Sequence, residues 1–316
     1  MSELPLTTPF DDRSKRVRFV RFTWAAVALN VVVILWGAWV RATGSGAGCG
    51  SHWPLCNGAV VPPSPEAATV IEFVHRATSG LALVAVLALL IAAWRVYARG
   101  HFVRWSMSAA GGLILLEAAI GAGLVIFGLV AGDTSTARAV VGALHLANTY
   151  LLLGALTLAA VMGGEALSPR WRGGRGEVAL VGISLGVLLL VGMTGAVTAL
   201  GDTVFRPESL AAGITQELAT AAHPLVRMRL IHPGVALLAS LLTAYCALTL
   251  CWRDTRSSAR RGAPLIWALL IVQLVAGAIN VLLLAPLGLQ VVHLLFSDLI
   301  WILVIALSAR ALSVPG

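Results

Sequence analysis

Eight long apolar runs constrain the fold of this chain more than any other feature of its sequence. Each is about 20 residues long, the length that an α-helix needs to cross the hydrocarbon core of a bilayer. Only 11% of the 316 residues are charged and 59% are hydrophobic, a balance that excludes an ordinary soluble domain. The sequence therefore predicts an all-α, polytopic membrane protein with eight transmembrane helices. The runs cover roughly residues 20–40, 71–94, 106–130, 139–162, 178–200, 229–252, 263–285 and 289–309.

The distribution of Lys and Arg predicts the orientation of these helices. Most of the 22 basic side chains lie in the N-terminal segment, near the C-terminus and in the connections on the same side of the membrane. An excess of Lys and Arg marks the cytoplasmic side, so both termini are predicted to be cytoplasmic in a multi-pass protein of the cell membrane. The net charge of +8 then reflects orientation, and no nucleic-acid partner is expected.

Four of the seven histidines recur at matched positions. His75 and His145 lie near the start of the second and fourth runs, and His232 and His293 near the start of the sixth and eighth. All four should therefore lie at a similar depth, toward the outer face. An intramembrane histidine is costly and by default functional, and two on facing helices suit the axial positions of a haem iron. Taken singly, each has an alternative interpretation, a hydrogen bond to a neighbouring helix.

The two halves of the chain look like a duplication. The segment E-F-V-H-R around His75 matches R-L-I-H-P around His232, and G-A-L-H-L around His145 matches Q-V-V-H-L around His293. Four helices per repeat is an even number, so the repeats are expected to run parallel. The predicted architecture is two parallel, pseudo-symmetric four-helix bundles, with the boundary in the connection 163–177. The predicted halves are residues 1–163 and 164–316.

A carboxylate distinguishes the first half from the second. Glu72 lies three residues before His75, so both side chains share one helix face, whereas Arg229 takes the equivalent place before His232. A carboxylate beside an iron ligand can act as a general acid or base, or steady an electron-deficient intermediate. Two alternatives stay open: an interfacial residue, or an ion pair with Arg76. The asymmetry favours one haem site that does chemistry and another that only carries electrons.

The first outer connection contains Cys49 and Cys56 in a Gly-rich stretch. Two cysteines this close in a loop that faces an oxidising compartment predict a disulfide. It is either a structural staple or a redox-active dithiol. Cys246 and Cys251, near the inner end of the sixth run, are interpreted as small apolar residues.

Other polar residues receive weaker predictions. Glu117 and Asn280 lie within apolar runs and are expected to face the protein interior, with no assignable role. A zinc site is disfavoured at the histidine pairs because no thiolate or third ligand lies near them in the pattern. The three remaining histidines have no mate in the other half and are predicted to be solvated: His52, His101 and His223.

The sequence resembles the heme A synthase family in three features. They are the loop T-G-S-G-x-G-C-G-x-x-W-P-x-C over residues 43–56, the E-F-x-H-R sequence at the start of the second helix, and the three later histidines. The resemblance covers essentially the whole chain. It implies a membrane oxidoreductase that converts the C8 methyl group of heme O to the formyl group of heme A, for cytochrome oxidase. By the same resemblance, hydroxylation occurs twice and the resulting gem-diol loses water.

The resemblance also implies roles for individual residues. His75 and His145 would ligate the iron of the substrate haem, with Glu72 catalytic, and His232 and His293 would hold a permanent heme b. The implied partners are heme O, the synthase that supplies it, and an unidentified electron donor or acceptor.

The chain departs from some members of that family in one respect. Its first-half pair, Cys49 and Cys56, matches the family pattern, but the outer loop 201–228 contains no cysteine. Any staple in that second loop must therefore be replaced by packing.

Two functions of other classes remain as alternatives. One is a diheme electron-transfer protein of cytochrome b type, linked to quinol, and the Glu72 asymmetry argues against it. The other is a transporter with parallel repeats, and the lack of matched Gly- or Pro-broken midplane helices argues against that.

Overall fold

The computed structural model describes residues 9–62, 66–164, 167–171, 174–253 and 257–315. In these residues eight helices are long and apolar enough to cross a membrane, which confirms the predicted count and the all-α class. They are α1 (Pro9–Ala42), α2 (Ala67–Val96), α3 (Phe102–Ile126), α4 (Thr136–Gly164), α5 (Arg175–Val204), α7 (Pro224–Arg253), α8 (Ser257–Leu282) and α9 (Leu287–Leu312).

Several short elements outside the eight spans were not anticipated from the sequence. A short helix, α6 (Leu210–Leu218), lies in the connection between α5 and α7, and Ser209 caps its start by accepting a hydrogen bond from the Ala212 amide at 3.2 Å. Two short strands, β1 (Leu167–Trp171) and β2 (Ser313–Pro315), pair antiparallel. That pairing joins the segment after α4 to the end of α9. Residues 165, 166, 172 and 173 of the predicted boundary connection lie outside the described residues.

Helix α4 is the centre of the molecule. In its most apolar stretch 83% of the residues are buried by other protein segments, against 50% for α9 and 17–33% for the other six spans. Small side chains allow this close packing: a Cβ added at Gly154 of α4 would lie 3.0 Å from Cδ1 of Ile305 in α9. The indole N–H of Trp301 in α9 donates to the Tyr150 carbonyl of α4 at 2.6 Å.

Helix contacts run both within and between the two halves of the chain. Helices α1 and α3 each contact α2 and α4, while α5 and α8 each contact α7 and α9. Helix α4 also contacts α5, α7 and α9, and α1 contacts α5 and α9. The division into two bundles at residues 163–164 remains a prediction. The end of the molecule that carries the α1–α2, α3–α4, α5–α7 and α8–α9 connections is called the histidine face below.

Candidate functional site

Each of the four matched histidines packs against a glycine of the preceding span. The pairs are Gly37–His75 (α1 and α2), Gly121–His145 (α3 and α4), Gly195–His232 (α5 and α7) and Gly277–His293 (α8 and α9). A Cβ at Gly37 would lie only 3.0 Å from Cε1 of His75, and one at Gly121 would lie 3.7 Å from Cε1 of His145. Glycine thus lets an imidazole lie directly on a neighbouring backbone.

These glycines carry a sequence signal that was missed. Each of the four precedes an alanine, so a Gly-Ala dipeptide stands at the matched position of every span that comes before a histidine-bearing span. The repeating unit is therefore a pair of consecutive spans and not only a half of the chain, because each half contains two such pairs, each with one Gly–His contact. Searching for a small residue in the partner helix of every intramembrane histidine would have found it.

The histidines come together in the two predicted pairs. His75 is close enough to His145 for a charge on one ring to act on the other, and the same holds for His293 and His232. Among the described residues, the Nδ1 atoms of His75, His145 and His293 are buried without a hydrogen-bond partner. Nδ1 of His232 lies 3.0 Å from the Thr194 hydroxyl.

This donor set fits a haem better than a bare metal ion. The described residues contain no group of three or more His, Cys, Asp or Glu that could hold a metal. Two imidazoles suffice where a porphyrin supplies the remaining ligands of the iron. Buried imidazoles with an unpartnered Nδ1 are costly in an apolar environment, so hydrogen bonding between helices does not account for them.

Glu72 is buried and held by two partners. Its side chain sits at 3% exposure, so the interfacial interpretation is wrong. Oε2 accepts a hydrogen bond from the Cys49 amide at 2.8 Å, and the Arg76 guanidinium donates to Oε1, through Nε at 3.0 Å and through a second nitrogen. The alternative of an ion pair with Arg76 is therefore confirmed, and it leaves the carboxylate fixed one helical turn from His75.

The loop 43–62 is clamped over the start of α2. The disulfide between Cys49 and Cys56 is present, as predicted. A Cβ at Gly48 would lie 2.4 Å from the Ala68 carbonyl carbon, so this glycine is needed for the close approach. Arg76 also donates to the carbonyl of Leu55 at 2.7 Å. The same arginine thus fixes both the loop and the carboxylate.

The second half closes the corresponding loop without cysteines. Arg229 of α7 donates from Nε to Oδ1 of Asp202 at 2.6 Å, and to the carbonyls of Gly201 and Phe205 at 3.0 and 2.9 Å. Its Nη1 lies 3.9 Å from Oε1 of Glu217 in α6. Burial raises the pKa of Glu217, against the opposing effect of Arg229. Carboxylates therefore pair with Arg229 in the second half, but among the described residues only Glu72 stands one helical turn before a histidine of either pair, on the same helix.

Glu117 faces a histidine, which the sequence did not reveal. Its Oε1 lies 3.2 Å from Nδ1 of His145, and it accepts hydrogen bonds from the side chains of Asn148 and Thr149. The interior position expected for Glu117 is thereby given a specific partner. Asn280 donates to the Leu289 carbonyl at 3.4 Å.

The remaining histidines lie apart from these pairs. His52 is exposed, as predicted. For the other two, the prediction of solvated side chains is wrong. His101 and His223 are half-buried, and their Nδ1 atoms accept hydrogen bonds from the amides of Val103 and Leu225 at 3.2 and 3.3 Å, at the starts of α3 and α7.

The sequence matches a known protein family and several named relatives. Residues 20–305 match the model of the COX15-CtaA family, described as cytochrome oxidase assembly protein. A protein of Thermus thermophilus named protoheme IX farnesyltransferase is 44% identical over 297 residues, covering 93% of this chain and 48% of that protein. The heme A synthase of Alkalihalophilus pseudofirmus is 37% identical over 135 residues, 43% of each chain. That of Staphylococcus saprophyticus is 42% identical over 107 residues, 33% of this chain and 35% of that protein.

The fold and the two histidine pairs define a multi-pass helical membrane protein with paired intramembrane imidazoles. The chain belongs to the COX15-CtaA family, the family of the heme A synthases. Its matched segments span less than half the length of each of the three relatives named above.

Proposed function

We propose that the protein is an oxidoreductase of heme A formation, which oxidises the C8 methyl group of heme O to a formyl group for use in cytochrome oxidase. The observation that carries this proposal is the asymmetry between two similar histidine pairs. Beside His75, and on its own helix, stands a buried carboxylate held by Arg76 and the Cys49 amide. The equivalent position before His232 is Arg229. Family membership and the relatives named heme A synthase support the same conclusion.

In this proposal the two pairs have separate tasks. His75 and His145 hold the iron of the substrate haem, and His232 and His293 hold a resident heme b. A bound haem iron supplies redox chemistry that protein side chains lack. The glycines behind the rings, such as Gly37, set how far each imidazole reaches from its helix.

Glu72 serves as the proton-handling group near the substrate methyl. The reaction consists of two hydroxylations of that carbon and loss of water from the gem-diol. Each hydroxylation is a two-electron oxidation of carbon, so a redox partner outside this chain is required. Because Arg76 and the Cys49 amide hold both carboxylate oxygens in place, Glu72 is oriented in advance for proton transfer.

The proposal includes the orientation of the protein. Both termini lie in the cytoplasm and the histidine face lies on the outer side, because Lys and Arg concentrate at the opposite end. The haem sites then lie toward the outer face of the cell membrane. The Cys49–Cys56 disulfide would face an oxidising compartment, where disulfides persist.

Heme O and the enzyme that makes it are the proposed partners. Support comes from the Thermus thermophilus relative, which bears the name protoheme IX farnesyltransferase and of which this chain matches 48%. A prenyl-transferring enzyme is the class of catalyst that would supply a haem with an isoprenoid tail.

A diheme electron carrier is the second candidate, favoured by the similar Gly–His packing in both halves. The two are separated by the haem content of membranes from cells that also contain a heme O source. With the wild-type chain, heme A should accumulate beside heme b. Glu72→Ala should abolish heme A and keep heme b, and Glu72→Gln should be nearly as damaging, since it keeps the size but loses the proton chemistry.

Glu217→Gln is the matched control, because it removes a half-buried carboxylate that lies 3.9 Å from Arg229, the residue in the place of Glu72 in the second half. It should leave heme A formation intact. Wild-type amounts of heme A from both Glu72 variants would remove this residue from the mechanism. Two equivalents of heme b with no heme A from the wild-type chain would favour the carrier.

A further inference from the structure

Two side chains occupy the same place in the third span of each half. Glu117 lies one helical turn before Gly121 in α3, and Gln273 lies one turn before Gly277 in α8. Both face the histidine that their glycine supports: Glu117 Oε1 is 3.2 Å from Nδ1 of His145, and Gln273 Nε2 is 3.2 Å from Nε2 of His293. The same position is Val33 in α1 and Val191 in α5. One histidine of each pair thus has a polar neighbour at this position. The two neighbours meet different ring nitrogens: the carboxylate faces Nδ1 of His145, whereas the amide faces Nε2 of His293.

The carboxylate of Glu117 is fixed by helix α4. Asn148 Nδ2 donates to Oε2 at 2.5 Å and to the Leu113 carbonyl at 2.9 Å, and the Thr149 hydroxyl donates to Oε1. Of the ion pairs among the described residues, the one that includes Glu117 is with His145. An intramembrane carboxylate needs such a partner.

The contact between Glu117 and His145 is nearly a hydrogen bond. The distance of 3.2 Å is suitable, but Nδ1 is not directed at the oxygen and remains unbonded. Rotation of the imidazole about its last side-chain torsion, which is broad and soft, aligns the N–H with Oε1. Hydrogen bonds at functional sites often tighten in this way when a ligand binds.

We propose that Glu117 is a positioning residue for the iron ligand His145. The inference rests on the proposed ligation of haem by this histidine. A carboxylate that accepts the Nδ1 proton fixes the tautomer, directs Nε2 to the iron and makes the imidazole a stronger electron donor. The ferric state of a haem held there would be stabilised. Gln273 does not act in this way, because its amide meets Nε2 of His293 and not Nδ1.

The test uses Glu117→Gln in the full-length, detergent-purified protein, since this change is nearly isosteric and removes the charge. Gln273→Glu is the control, because it alters the equivalent position in the other half. Heme O is added to the first-half site, and its midpoint potential is measured by optical redox titration. Loss of the Glu117 carboxylate should lower the ferric preference of the first-half haem on the order of tenfold, a potential increase of about 59 mV. Gln273→Glu should leave the first-half potential unchanged.

The possible outcomes distinguish a failure of the positioning role of Glu117 from a failure of the proposed haem ligation by His145. An unchanged first-half potential in Glu117→Gln, with haem bound, overturns the positioning role. If that variant loses its first-half haem, Asn148→Leu decides, because it removes the donor that holds Oε2 of Glu117, and an unchanged first-half potential there overturns the inference. His145→Ala with an unchanged six-coordinate first-half haem would instead contradict the ligand assignment, whatever the potentials of the other variants.

Discussion

Replacing the glycine behind His75 should displace an iron ligand without touching it. A Cβ at Gly37 would stand 3.0 Å from Cε1 of His75, so the ring must retreat by a few tenths of an ångström. Overpacking of this kind costs about 1–3 kcal/mol, which corresponds to roughly 5- to 150-fold in affinity. We therefore expect Gly37→Ala to weaken binding of heme O at the first-half site by that factor. The measurement is an absorbance titration of purified protein with heme O.

Gly121→Ala is the matched control within the same site. A Cβ there would lie 3.7 Å from Cε1 of His145, an ordinary van der Waals contact, and alanine is the better helix former by about 1 kcal/mol. Its affinity for heme O should stay within a factor of two or so of the wild type, since the expected change is below the ~1 kcal/mol floor of overpacking.

The second half offers an independent comparison. A Cβ at Gly195 would lie 3.1 Å from Cε1 of His232, and one at Gly277 would lie 3.2 Å from Cε1 of His293. Alanine at either position should reduce heme b retention while the first-half site is unaffected. The reasoning is refuted if Gly37→Ala binds heme O as tightly as the wild type, or if it and Gly121→Ala are equally impaired.

Two further predictions concern the carrier haem and the outer loop. His232→Ala and His293→Ala should each abolish the low-spin heme b spectrum, because six-coordination needs both imidazoles; an unchanged spectrum in either purified variant would remove that residue from the ligand set. Cys49 and Cys56 should resist an impermeant thiol reagent until reductant is added, since they form a disulfide, and full labelling of both in untreated cells would contradict this.

The parts of the structure that depend on local sequence could be predicted. A transmembrane helix is recognised because about 20 consecutive apolar residues are long enough to cross the hydrocarbon core of a bilayer. The eight predicted runs match the eight helices. The disulfide was predictable for a similar reason, because Cys49 and Cys56 lie close together in one short loop. Helix α6 was missed since its nine residues fall far below the length of a span.

The parts that depend on the register between helices could not be predicted. Glu117 was recognised as an interior residue, but its contact with His145 is fixed only when α3 and α4 pack at one particular offset. Arg229 was taken as the replacement for Glu72, although its partners Asp202 and Glu217 lie on two other elements. A pattern within one helix shows which residues share a face, but not what that face meets.

The spans are unequally buried, so each histidine pair has one histidine on a well-buried helix and one on a helix that is mostly exposed at the protein surface. His145 and His293 stand on α4 and α9, the two most enclosed spans, while His75 and His232 stand on α2 and α7, of which only 22% and 33% is buried. Under the proposed function, the isoprenoid tail of a substrate haem would reach the surrounding lipid past α2, whereas α4 separates the site from the interior of the protein.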